Sequence, residues 1–86
     1  MREECNDIVS VLASFAPAPR GMVRVVPQVL DWKGRRFRLT TMGMHHPERR
    51  GLKHVHVFGF ASGETAFRLE LDSETLEWRL KEVFYG

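Results

Sequence analysis

From Met22 onward, apolar and polar residues alternate with a period of two, and turn-forming residues interrupt the alternation at short intervals. This pattern is typical of antiparallel strands that bury one face. The segments that fit it are residues 23–32, 35–42, 53–60, 65–71 and 76–84. Residues 22–86 are therefore predicted to form an antiparallel β domain.

The turns between these segments predict the registers of two hairpins. Lys33 and Gly34 suit a two-residue turn because glycine readily takes the positive φ that such a turn needs, and this loop pairs Leu30 with Phe37. In the last hairpin, residues 72–75 are rich in turn formers. A symmetric turn centred on Ser73-Glu74 pairs Leu71 with Leu76, Leu69 with Trp78 and Phe67 with Leu80. Each predicted inward pair is apolar, which favours this register.

The N-terminal segment shows a different periodicity. Ile8, Val11, Leu12 and Phe15 recur at i, i+3, i+4 and i+7, which predicts a helix within residues 1–15. The two prolines of residues 16–21 disfavour helix, so this segment is interpreted as a hinge. The predicted fold is therefore α+β: a short helix lying on a four- or five-stranded antiparallel meander. The alternative is a sheet that curls into a small half-open β-barrel.

Length and cysteine content narrow the classes of function. A chain of 86 residues with 43% hydrophobic residues suits one small domain, and its single Cys5 excludes an intramolecular disulfide framework. The chain has no apolar run near the roughly 20 residues of a membrane span and no secretory signal, which predicts a cytoplasmic protein without a membrane partner. Glycine loops for phosphate, G-x-S-x-G elbows and zinc-protease motifs do not occur, so a non-enzymatic binding module is favoured.

Several hydrophobic and turn positions together resemble a family. The run of residues 30–39 (LDWKGRRFRL) follows the pattern apolar-x-Trp-x-Gly-Arg-x-aromatic-x-aliphatic. Downstream come Val57-Phe58, Gly63, Phe67, Leu69 and Trp78-Arg79-Leu80. Over residues 27–83 this order resembles small bacterial all-β domains of unknown function, one of which is attached to or encoded near Y-family-like DNA-repair polymerases. The resemblance implies a β fold and a DNA-associated setting, and it implies no catalytic residues.

Charge is distributed unevenly along the chain although its net value is only +2. Residues 20–56 carry a large excess of basic side chains, whereas residues 57–86 are acidic overall. The candidate binding residues for a nucleic-acid backbone or an acidic protein are Lys33, Arg35, Arg36, Arg38, Arg49 and Arg50. Arg36 and Arg38 are predicted to share the outer face of the sheet, and Arg49 and Arg50 to lie in a long polar loop over residues 43–52. The alternatives are that these side chains form only a solvated face, or that the basic hairpin meets an acidic face of a second copy in a homodimer.

The histidines form a second candidate site. His45, His46, His54 and His56 fall within twelve residues, and His54 and His56 lie on one face of a predicted strand. Imidazoles placed in this way suit zinc, with Glu48 as a further ligand. This predicts a metal-binding protein or a metal-dependent enzyme as the alternative function. The competing interpretation, in which no cofactor is bound, is a central strand whose histidines are packed or hydrogen-bonded.

Overall fold

The computed structural model describes residues 1–17 and 23–85, which form seven antiparallel strands. Their bounds are β1 Arg2–Pro17, β2 Val23–Trp32, β3 Arg35–Arg38, β4 Thr41–Arg50, β5 Lys53–Ser62, β6 Thr65–Asp72 and β7 Trp78–Phe84. The strands lie in one sheet in the order β3-β2-β1-β7-β6-β5-β4. This arrangement is all-β, so the predicted α+β fold class is wrong.

The predicted N-terminal helix is replaced by the longest strand of the sheet. Along β1 the side chains alternate between exposed and half-buried, and the half-buried ones include Cys5, Val9 and Val11. The β-branched residues Ile8, Val9 and Val11 favour a strand. Pairing with two neighbouring strands outweighs the helical spacing of the apolar residues. The described residues include no helix of the length and apolarity that a membrane crossing requires.

The sheet curls into a half-barrel because two stretches of chain change neighbours along their length. The first half of β1 pairs with β7 and its second half, from Ser10, pairs with β2. Between β3 and β4, the Leu39 amide donates to the Gln28 carbonyl (2.9 Å), and the next amide, of Thr40, donates to the Ala61 carbonyl (3.0 Å). Two adjacent residues thus connect the two ends of the strand order, and the sheet curls. This is the curled arrangement that was predicted as the alternative to a helix lying on the sheet.

The core fills the concave side of this curl. Its largest fully buried side chains include Phe58, Phe67 and Leu69, and Phe37 of β3 packs on Phe67 with ring centroids 4.9 Å apart. The contact between β3 and β6 crosses the interior of the sheet, since these strands are separated in the strand order. Burial of this apolar face stabilises the domain and determines which side of β3 faces solvent.

One predicted hairpin register is confirmed and the other is wrong. Leu30 lies opposite Phe37, and Lys33 and Gly34 have φ values of 51° and 73°. In the last hairpin the turn is longer than the symmetric one. The observed pairs are Leu71 with Trp78, Leu69 with Leu80 and, beyond a bulge, Phe67 with Val83. The shift of two residues keeps the apolar side chains on the same face, so the hydrophobic pattern alone did not distinguish the two registers.

A capped turn explains this longer connection. The Asp72 carboxylate accepts hydrogen bonds from the amides of Glu74 (2.9 Å) and Thr75 (3.3 Å), and the Leu76 amide donates to the Asp72 carbonyl (2.8 Å). Leu76 takes a positive φ. This left-handed conformation, which is uncommon for a residue other than glycine, turns its side chain out of the ladder.

The segment predicted as a long loop is also a strand. Residues 41–50 form β4, which pairs with β5 along one edge of the sheet. Pro47 is tolerated because an edge strand leaves one row of amides without a ladder partner. Of the predicted hinge, Ala16 and Pro17 belong to β1, and residues 18–21 lie outside the described residues.

Candidate functional site

Three of the predicted basic residues lie on β3, the short strand at the edge of the sheet. Arg36 and Arg38 point to the outer face, opposite Asp31 and Val29 of β2. Arg35 alternates with them and shares the inner side with Phe37. A ligand that runs along this edge therefore meets guanidinium groups on both sides of the strand.

A pocket opens beside Arg35 at the end of the curled sheet. Its volume is about 230 Å³, and it is lined by Trp32, Lys33, Arg35, Phe37, Thr65 and Tyr85. Trp32 and Phe37 lie with ring centroids 6.5 Å apart, and the Trp32 indole nitrogen donates to an Asp7 carboxylate oxygen at 3.0 Å. The pocket is smaller than the roughly 300–1,000 Å³ of sites that enclose a drug-sized ligand, so it suits one ring of a longer molecule.

The two cations of the pocket rest on its aromatic rings. Nζ of Lys33 lies 4.7 Å from the Trp32 ring centroid, and Cζ of Arg35 lies 5.0 Å from that of Phe37. Such contacts hold a cation over an aromatic ring, where it can bind an incoming anion. Positive charge and aromatic rings thus occur together at this end of the sheet, where Trp32 is buried (8% exposed) and Phe37 is partly buried.

Carboxylates form ion pairs with only some of the basic side chains on and beside β3. Nζ of Lys33 lies 3.7 Å from a Glu3 oxygen, and Nε of Arg36 lies 3.1 Å from an Asp31 oxygen, both between exposed side chains. Within residues 1–17 and 23–85, neither Arg35 nor Arg38 forms an ion pair with a carboxylate. These two guanidinium groups are therefore available to an external anion.

Arg49 and Arg50 do not join this basic surface. They are the last two residues of β4, at the opposite end of that strand from Thr41 and the connection to β3. Both terminal nitrogens of Arg50 donate to the Glu70 carboxylate, at 2.8 and 2.9 Å, and one also donates to Glu48. Arg50 therefore serves an internal ion pair, while Arg49 is an exposed arginine remote from β3.

The histidine cluster is divided between the two faces of the sheet. Nε2 of His45 lies 3.2 Å from Nδ1 of His56, and the His45 ring stacks on Phe58 with centroids 4.3 Å apart. His46 belongs to the opposite face, with Nε2 3.8 Å from a Glu48 oxygen. His54 is exposed near the turn that contains Ser73. In the described part of the chain, no group of three or more metal-ligating side chains comes together.

The His45 environment makes a prediction about acid stability. Burial, followed by the neighbouring His56 and His46, lowers the pKa of His45 below its ordinary value of 6.5. The unfolded chain then binds this proton more readily, so stability falls as the pH drops from about 6.5 through the lower folded-state pKa. We expect His45→Phe, which retains an aromatic ring on Phe58, to lose less melting temperature between pH 7 and pH 5.5 than the wild type. His54→Gln is the matched control, and equal pH dependence in wild type and His45→Phe would contradict the prediction.

One groove of the described surface is apolar and lies away from β3. It measures about 430 Å³ on the outer face of β4–β7, and its lining residues include Met44, Gly59, Ala61, Ala66 and Phe84. Arg68 lies at its side and pairs with Glu82 at 2.9 Å. The groove contains few polar groups that converge on one point, so it provides a surface for apolar contact rather than a chemical centre.

The pocket beside Arg35, which we call the β3-end pocket, contains two further side chains that no sequence pattern identifies. Tyr85 and Thr65 are far from β3 along the chain, and only the curl of the sheet brings them beside Arg35. The Tyr85 hydroxyl donates to a Glu3 oxygen at 3.0 Å, and this hydrogen bond raises the pKa of Tyr85.

Comparisons with protein-family models, curated proteins and solved structures found no significant match to this chain.

Proposed function

We propose that this protein is a cytoplasmic, non-enzymatic binding module that binds single-stranded nucleic acid along the edge strand β3. The observation that carries the proposal is the combination of unpaired arginines and aromatic rings at the open end of the sheet. Proteins that bind single strands combine cations for the phosphates with aromatic rings on which bases stack. The resemblance to small β domains associated with DNA-repair polymerases is compatible with this proposal.

Each side of β3 has its own role in the proposed complex. Arg36 and Arg38 on the outer face bind phosphates, and Arg35 guides one base toward the rings of Trp32 and Phe37. A base that enters displaces the Arg35 guanidinium from Phe37 and leaves it free to bind the adjoining phosphate. The 230 Å³ pocket admits one base, and the remainder of the strand stays on the surface.

Fluorescence anisotropy with a labelled 12-nucleotide single strand, titrated at several salt concentrations, tests this proposal. We expect Arg35→Ala and the double variant Arg36→Ala/Arg38→Ala each to weaken binding at least tenfold. The double variant also lowers the dependence of log K on log salt by about one per phosphate contact removed. The alanine substitutions at these exposed positions should each lower the free energy of unfolding by less than about 1 kcal/mol, as surface substitutions usually do.

Arg49→Ala is the matched control because it removes one exposed arginine remote from β3. It should change affinity less than twofold. Equal losses in Arg49→Ala and Arg35→Ala would show that only net charge matters and would contradict the β3 site. Competition by poly-glutamate as strong as that by an unlabelled oligonucleotide would favour an acidic protein as the partner instead.

A further inference from the structure

The second half of β1 is a strand edge without a partner. Residues Ser10–Pro17 pair with β2 on one side, and β7 begins only at Trp78, opposite Val9. Across the described residues, no strand pairs with the other side of this half. Such an edge presents unpaired amide and carbonyl groups that can bind a further strand.

This edge is also the most apolar one. Residues 8–17 contain no charged side chain, and Ile8, Leu12 and Phe15 are 63%, 64% and 56% exposed. Leu76 of the β6–β7 turn, which lines one groove together with Ile8 and Phe15, is 61% exposed. A groove of about 390 Å³ runs between this part of β1 and that turn, with Val9, Val11 and Trp78 among its lining residues.

The other free edges are protected. β3 has four residues and three of them are arginines. β4 contains Pro47 followed by Glu48, Arg49 and Arg50, and the first half of β2 contains Arg24 and Pro27. Charged residues and prolines at edges discourage pairing between chains. Residues 10–16 of β1 contain neither, and the only proline of this half is its last residue, Pro17.

We propose that the second half of β1 pairs with the same segment of a second copy of this chain, forming a homodimer through a continuous antiparallel sheet. Self-pairing brings no like charges together because the segment has none, whereas self-pairing of β3 would oppose arginines to one another. Antiparallel pairing of a strand with itself also satisfies the two-fold symmetry of a closed dimer.

A two-fold axis at Ala13 gives a register in which the apolar side chains match. Val11 of each copy lies opposite Phe15 of the other on the inner face, and Leu12 lies opposite Ser14 on the outer face. Phe15 and Leu12 lose much of their exposure in this arrangement. The dimer is independent of the proposed nucleic-acid site, since none of these residues lines the β3-end pocket.

Sedimentation equilibrium over a range of concentrations measures the association directly. We expect the wild type to dimerise reversibly, and Leu12→Lys and Phe15→Lys each to raise the dimer dissociation constant at least tenfold. Leu52→Lys is the control, since Leu52 is 86% exposed in the β4–β5 turn and should leave the constant unchanged. Circular dichroism verifies that the variants retain the strand content of the wild type.

Hydrogen exchange on the wild type gives a second readout that needs no variant. Amides of residues 10–16 that face away from β2 should exchange more slowly as the concentration rises, while those on the free edge of β4 stay unchanged. A wild type that remains monomeric at 1 mM would overturn the proposal. Association that resists both lysine substitutions, or concentration-dependent protection confined to β4, would overturn it as well.

Discussion

Phe58→Ala is expected to lower the free energy of unfolding by about 3–5 kcal/mol, as substitutions of fully buried phenylalanines do. Phe58 is fully buried at the centre of the concave core, with ring centroids 4.3 Å from His45, 5.6 Å from Trp78 and 5.9 Å from Phe60. Truncation removes contacts to strands β4, β5 and β7 together and leaves a cavity that their backbones cannot close. Urea unfolding followed by tryptophan fluorescence measures the loss, which is a large part of the stability of a domain this small.

Phe84→Ala is the matched control for this substitution. Phe84 is partly exposed at the wall of the apolar groove. Removal of the same side chain from this position should therefore cost about 1 kcal/mol or less. A cost at Phe84 equal to that at Phe58 would contradict the assignment of the core to the concave side.

Arg50→Met is expected to destabilise the protein by about 2–3 kcal/mol at pH 7. Glu70 is almost fully buried, and Arg50 donates hydrogen bonds to both of its carboxylate oxygens. Loss of one partner leaves a buried charge uncompensated, which costs about 3–5 kcal/mol in a fully buried pair. We expect a smaller loss for the Arg50–Glu70 pair because the Arg50 side chain is half-exposed. In the variant, water can therefore partly solvate the Glu70 carboxylate.

The same substitution predicts a change in pH dependence. The Arg50 hydrogen bonds hold the pKa of Glu70 below its usual 4.5. The pair therefore stabilises the protein above that pH, and this stability is lost as the pH falls through the lower folded-state value. In Arg50→Met, burial without the arginine raises the pKa of Glu70, and protonation relieves the buried charge. The difference in unfolding free energy between wild type and Arg50→Met should thus be largest at pH 7. It should begin to shrink as the pH falls through the raised Glu70 pKa of the variant, and it should be smallest below the lowered Glu70 pKa of the wild type.

Arg79→Met provides the comparison for both measurements. Its ion pair with Glu77 joins two side chains that are each more than one-third exposed, so its loss should cost less than about 1 kcal/mol. A cost at Arg50 no greater than at Arg79 would show that Arg50 is only a surface cation, available to an external anion.

Arg50 illustrates how much of the candidate site could be predicted from sequence. Simple alternation around Phe37 places residues 35–38 on opposite faces of a strand, and the Lys33-Gly34 turn sets their register. Arg50 joins the predicted set only because it is basic and near in the sequence. Its partner Glu70 is twenty residues away, and the pairing of β4 with β5 and of β5 with β6 is what brings the two together.

β1 shows the corresponding limit for the fold. Its apolar residues fit a helical stripe and also alternate as a strand, and local preferences separate these states by only small free energies. In the folded chain, hydrogen bonds to both β2 and β7 decide between them. As a strand, this segment leaves Ile8, Leu12 and Phe15 exposed to solvent. The proposed dimer is based on this exposed apolar edge.

Three features of this protein follow from its residues read in order: the antiparallel strands after Met22 apart from β4, the Lys33-Gly34 hairpin and the arginines on both sides of Phe37. They depend on contacts between near neighbours, for which period and turn chemistry are sufficient. Three others are visible only in the folded chain: the strand state of residues 2–17, the division of the histidines between two faces and the meeting of Tyr85 with Arg35. These depend on which strands pair and how the sheet curls, because burial of the concave face is a property of the whole chain.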